Sequence, residues 1–235
     1  ATVRMEEDMT RAVLKGLLIQ IISHRRFMNK TIILKRKTDI KVDRYHARAV
    51  TMTAMLAAVS YILAFLEFPV PLSPAFARME LSDFPALIGA FAFGPVSGIM
   101  IGLVKNGLQL LSTSTGGVGE LANFLIGASY VWAAGFIYRF HETKKTAWVS
   151  CIAGSSIMGI AAAAANYFIL LPMFEVFMPL DQVIASFRAF IPFIRTKLDV
   201  VLFNVLLFNV LKGLVIGIFT MVVYKRLTPV LKGVH

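Results

Sequence analysis

Several kinds of residue are scarce in this chain of 235 residues, and each scarcity excludes a class of function. There is one cysteine, Cys151, inside an apolar run. That leaves no disulfide framework and no thiolate metal site, and a lone buried cysteine behaves as a small hydrophobe. The four histidines (His24, His46, His141 and His235) fall outside the apolar segments, and no cluster of His, Cys and carboxylates has metal-ligand spacing, so no metal is expected. No GxxxxGK[ST] phosphate loop, HExxH or GxSxG occurs, so the chain is not expected to hydrolyse ATP or to be an enzyme. Charged residues make up only 16% of the chain, against 57% hydrophobic. Soluble domains carry about 25% charged residues and about 45–50% apolar ones, so this surplus calls for a non-aqueous solvent.

What is present is a series of apolar runs. At about 20 residues per helical crossing, residues 50–228 accommodate six spans. They are read at about Val50–Phe68, Phe84–Phe93, Val96–Leu111, Gly119–Phe140, Ala147–Leu171 and Val200–Tyr224. The expected fold is therefore an all-α integral membrane protein of six transmembrane helices. Its organisation is a basic lead (1–48), a membrane domain (49–228) and a short tail (229–235). Pro69, Pro71 and Pro74 interrupt helix after the first span, and 69–83 reads as a loop. Gly94-Pro95 separates the second span from the third, 112–117 is a turn, and 172–198 is a longer polar connection broken by Pro172, Pro179 and Pro192.

The net charge of +11 is unevenly spread. Residues 1–48 hold 12 lysines and arginines against 5 acids, and the remainder 12 against 8. A basic chain can meet nucleic acid or an anionic membrane face, and the apolarity of the remainder decides for the lipid membrane. No conventional secretory signal is expected at the start: 1–11 is polar, and Val13–Ile22 is too short to span. The lead reads equally as an amphipathic surface helix, a disordered segment or an added sequence, and receives no functional role. Lysine and arginine in the lead, in the 139–146 loop and in the tail place both termini in the cytoplasm. The 67–83, 112–118 and 172–198 segments then lie outside, with acids and bases mixed in the first and last.

Polar side chains at membrane depth are costly and mark interiors or cavities. The set here is Lys105, Asn106, Glu120, Asn123, Asn166, Asn204, Asn209 and Lys212. Glu120 and Asn123 are three apart, as are Asn209 and Lys212, so each pair shares a helix face. A buried lysine needs a carboxylate or an acceptor-rich guest; for Asn209/Lys212 a ligand or a counter-charge is expected. Lys105 either snorkels or pairs with Glu120, and Asn204 reads first as a bond between helices. No catalytic carboxylate pair is expected at membrane depth. Ala54 and Ala58 form a small-xxx-small pair that suits internal packing or a docked partner equally.

The order of five segments resembles a known family: Leu81-Ser-Asp-Phe-Pro-Ala-Leu-Ile-Gly89, Phe93-Gly-Pro-Val-Ser-Gly98, Val104-Lys-Asn106, Gly116-Gly-Val-Gly-Glu-Leu-Ala-Asn-Phe-Leu-Ile-Gly127 and Asn209-Val-Leu-Lys212. These are similar to the S components of energy-coupling factor (ECF) transporters, and within them to the riboflavin-specific S component. The resemblance covers about residues 50–228 and implies a six-helix subunit of the bacterial cell membrane that captures a vitamin from outside. It implies association with a transmembrane T scaffold and two ATPase subunits that power import. By the same resemblance, Asn123, Asn166, Asn209 and Lys212 bind the ring edge and ribityl chain of riboflavin, and Glu120 lies beside them. Leu72 and Phe76 belong to a lid loop, and Ala54 and Ala58 to the scaffold-docking surface. Riboflavin is then a transported ligand, and no cofactor is implied. An S component for another vitamin or flavin precursor, or a membrane interaction subunit outside transport, are the alternatives.

Overall fold

In a computed structural model of the chain, residues 46–69, 78–113, 116–177 and 179–232 are described, with side chains up to Tyr224 except at 69, 78, 174, 176, 177, 180 and 183. The chain divides into two units, Ala1–Arg48 and Ala49–His235. The helices from Asp83 onward belong to the second unit. The lead, the tail residues 233–235 and the lid candidates Leu72 and Phe76 lie outside the described residues.

Helix α1 spans His46–Ala64. A two-stranded antiparallel hairpin comes next, β1 (Glu67–Pro69) against β2 (Arg78–Glu80), with Phe68 opposite Met79. The prolines predict a plain loop over 69–83; the strands pair nonetheless, because Pro71 and Pro74 fall between them and Pro69 sits at a strand end. Then come α2 (Asp83–Phe93) and α3 (Pro95–Gln109), with a 3₁₀ turn at Leu110–Ser112. Helix α4 is Val118–Phe140 and α5 is Lys144–Ala165, which passes through a π-helical turn, Asn166–Leu170, into α6 (Leu171–Phe177). The connection read as polar holds α7 (Leu180–Arg188) and the single turn α8 (Lys197–Asp199). A second π segment, Val200–Leu206, leads into α9 (Leu207–Lys232), past the expected end at Tyr224.

Among the described residues, four helical stretches are long and apolar enough to cross a membrane: His46–Ala64, Val118–Phe140, Lys144–Met173 and Lys197–Tyr224. The other two expected spans, α2 and α3, form with 11 and 15 residues. At 1.5 Å per residue they reach only about 16 and 22 Å, short of the ~30 Å hydrocarbon core. Nine of the 11 residues of α2 are buried. A helix apolar on all sides belongs at the centre of a bundle, and α2 packs on α3, α4 and α9. Large apolar side chains face outward on the surrounding helices, among them Ile62, Val96, Phe136, Ile160, Phe203 and Val222. So much contiguous apolar surface is the mark of a lipid-facing protein.

Local sequence explains the joints. Gly94 ends α2 at φ 100°, where a side chain is strained, and Pro95 opens α3 with its fixed φ and no N–H to satisfy. Thr143 caps α5, its hydroxyl accepting from the Thr146 N–H. Thr196 and Asp199 form a reciprocal capping box at the start of the last span. On α9, a Cβ on Gly213 would stand 2.7 Å from Ser155 Oγ on α5, so glycine there sets the close crossing of the two helices. The Tyr130 hydroxyl of α4 donates to the Gly213 carbonyl at 2.7 Å, tying a third helix to the same point.

Candidate functional site

The segment joining the hairpin to α2 carries Glu80, Ser82 and Asp83, and all three side chains turn into the bundle. The two lysines singled out in the sequence meet them there. Lys105 of α3 lies 3.3 Å from Glu80 Oε1 and 3.6 Å from Asp83 Oδ1. Lys212 of α9 lies 3.1 Å from Asp83 Oδ2 and 3.7 Å from Glu80 Oε1. Side-chain exposure is 0% for Lys105, 4% for Asp83, 6% for Lys212 and 11% for Glu80. Two ammonium groups and two carboxylates thus alternate around one buried point and cancel.

Neutral groups complete the cluster. Lys105 Nζ donates to Ser82 Oγ at 2.8 Å. Asn123 Nδ2, on α4, donates to Glu80 Oε1 at 2.8 Å. The Ser60 hydroxyl of α1 donates to the Ser82 carbonyl. Four residues of chain, 80–83, are therefore held by α1, α3, α4 and α9 together. Burial alone would raise the Glu80 carboxyl, but Lys212 and Lys105 beside it hold it below its ordinary range, so it is ionised.

This arrangement corrects one expectation. Lys105 neither snorkels nor takes Glu120 as its partner in these ion pairs: its carboxylates are Glu80 and Asp83. Glu80 and Asp83 are buried together, each within ion-pair distance of two lysines. Sequence reasoning missed Glu80 and Asp83 because it counted them as loop charges. The usable signal was Asp83 in the first turn of a helix whose remaining residues are almost all apolar.

The other predicted residues lie on several different elements. Asn209 is buried one turn before Lys212 on α9, its Nδ2 donating to the Val205 carbonyl at 2.9 Å. Asn166 begins the π turn after α5 and donates in the same way to Ala162. That π turn packs against α4, α5 and the second π segment, which carries buried Asn204. Single π turns inside α-helices recur at functional sites. Glu120 is half-buried in the first turn of α4, one turn before Asn123. Asn106 is buried and donates to Gly102, while its Oδ1 has no hydrogen bond among the described residues. Ala54 and Ala58 both lie exposed on α1. No group of three or more metal-ligating side chains occurs among the described residues.

The charges of the cluster balance, each carboxylate lies within ion-pair distance of both lysines, and one side-chain amide, that of Asn123, reaches it from α4.

Comparison with known proteins gives the family. The riboflavin transporter RibU of Staphylococcus aureus (strain TCH60) is 32% identical over 200 residues, covering 85% of this chain and 98% of the relative. The riboflavin transporter FmnP of Bacillus subtilis (strain 168) is 29% identical over 185 residues, covering 77% and 93%. A solved S component of a bacterial ECF transporter superposes with a TM-score of 0.63 at 33% identity, covering 80% of this chain and 99% of that one. Residues 48–224 match the family described as ECF transporter, substrate-specific component. This multi-pass membrane protein belongs to the substrate-specific components of the ECF transporters.

Proposed function

We propose that the chain binds riboflavin from the outer side of a bacterial cell membrane and delivers it for import, with both termini in the cytoplasm. The observation that carries the reading is full-length similarity to proteins named riboflavin transporters, 98% of the Staphylococcus relative being covered. The chemistry is compatible with it. Riboflavin is flat and uncharged, with an imide edge and a hydroxylated tail, and amides match donor–acceptor edges of that kind. Asn123, Asn166, Asn209 and Lys212 are the proposed ligand contacts, with Glu120 beside them and Leu72 and Phe76 in the lid. Asn123 and Lys212 both approach Glu80, and Asn209 is one turn from Lys212, which supports a single site.

Release inward is powered by partners: a transmembrane T scaffold and two ATPase subunits. The exposed Ala54 and Ala58 form the proposed scaffold contact, since small residues let a second helix approach closely. The subunit itself is a binder and not an enzyme. The test is the absorbance spectrum of detergent-purified protein from cells grown with riboflavin. A bound flavin has visible bands that other vitamins lack, and a colourless protein that also fails to take up added riboflavin would refute the ligand.

A further inference from the structure

The buried cluster contains one group whose chemistry restricts its neighbour. Glu80 Oε1 receives Asn123 Nδ2 at 2.8 Å and stands 3.3 Å from Lys105 Nζ and 3.7 Å from Lys212 Nζ. A carboxylate flanked by two ammonium groups is ionised and can only accept hydrogen bonds. The Asn123 amide must then turn its NH₂ toward Glu80, because the opposite orientation would set a carbonyl oxygen against a carboxylate oxygen. That orientation leaves Asn123 Oδ1, which accepts no hydrogen bond among the described residues. Asn123 is half-buried on α4, whereas Glu80 is buried behind it.

We infer that Glu80 is a positioning residue for ligand recognition: by fixing the Asn123 amide it makes the site select a ligand that presents a hydrogen-bond donor to Asn123 Oδ1. This rests on the proposed riboflavin-binding function. Riboflavin carries two kinds of donor, the ring imide N–H and the ribityl hydroxyls. A free asparagine could turn either end of its amide to a guest and would discriminate little between donor and acceptor. Held by Glu80, the amide keeps its nitrogen end at that carboxylate and offers its oxygen, an acceptor, at the other end. Asp83 cannot take over this duty, since its oxygens face Lys105 and Lys212.

The experiment compares affinities in detergent for riboflavin, for N3-methylriboflavin (no ring donor) and for lumiflavin (no hydroxyls). It uses wild type, Glu80→Gln and Asn123→Ala, each checked for a monodisperse size-exclusion peak. Wild type is expected to prefer riboflavin over the analogue lacking the relevant donor by about tenfold or more. Glutamine can donate as well as accept, so in Glu80→Gln that preference should shrink about tenfold. Asn123→Ala should already have lost it, and this variant decides if Glu80→Gln does not fold. The analogue whose ratio changes identifies which donor faces Asn123. Wild-type ratios retained in Asn123→Ala or in a folded Glu80→Gln, or no discrimination by wild type against either analogue, would overturn the inference. Failure of wild type to bind riboflavin at all would instead remove the functional reading on which it rests.

Discussion

Two connecting segments of this protein look alike in sequence and behave oppositely. Residues 67–83 and 172–199 both join apolar spans, both contain prolines, and both mix acids with bases. In the second, Glu175 and Asp181 are exposed, and Asp199 uses its carboxylate locally, accepting from the backbone N–H groups of Arg195 and Thr196 at the start of the last span. In the first, Glu80 and Asp83 are buried and each lies within ion-pair distance of two lysines from distant helices. The difference is set by what faces each segment. α3 and α9 each bring a lysine into the interior, and buried lysines without counter-charges are expensive. A carboxylate near a span is therefore surface decoration or the keystone of a bundle according to the far side of the fold.

The contrast can be broken at either end. Asp83→Ala leaves Lys105 and Lys212 sharing one carboxylate, and removing one partner of a buried pair costs about 3–5 kcal/mol. The expected outcome is a large fall in the thermal unfolding temperature of the purified protein, or loss of the monodisperse species. The double variant Asp83→Asn with Lys212→Met restores charge balance and should be more stable than Asp83→Asn alone; additivity of the two losses would contradict a coupled pair.

Acid acts on the same cluster with a definite sign. Glu80 is held below its ordinary value of 4.5 in the folded protein. Its contribution to stability is therefore fully present above that pH and lost as pH falls through the lower folded value. Thermal stability should accordingly be insensitive to Glu80 between about pH 8 and pH 5 and should drop more steeply below that in wild type than in Glu80→Gln. The smallest effect is expected at the other segment. Asp199→Ala removes an exposed cap and should barely move the unfolding temperature, leaving ligand affinity unchanged; a large loss of binding there would erase the distinction between the two segments.

Much of the fold was legible because the membrane makes it so. Runs of apolar residues punctuated by Gly94-Pro95 and Gly116-Gly117 report helices and their ends directly, since backbone in lipid must satisfy itself. The pattern gave α2 as short, at Phe84–Phe93, but could not show that it is central, because an all-apolar segment looks the same facing lipid or core. Nor could it show the π turns at 166–170 and 200–206, which depend on how α5 and α9 lie against their neighbours. At the site, the lysines were conspicuous, being charges inside apolar runs. Their partners were not, since Glu80 and Asp83 sit where polar residues are ordinary. Pairing across about 25 residues for Lys105 and Glu80 is a property of topology that no local spacing encodes.

Riboflavin binding by the residues gathered around this buried cluster is open to a simple titration. Purified, flavin-free protein is titrated with riboflavin and followed by quenching of flavin fluorescence, for wild type, Asn209→Ala and Lys212→Ala. Wild type is predicted to show saturable one-to-one binding, and the folded variants affinity at least about tenfold weaker. Wild-type affinity in both variants would contradict the site, and no saturable binding by wild type would contradict the function.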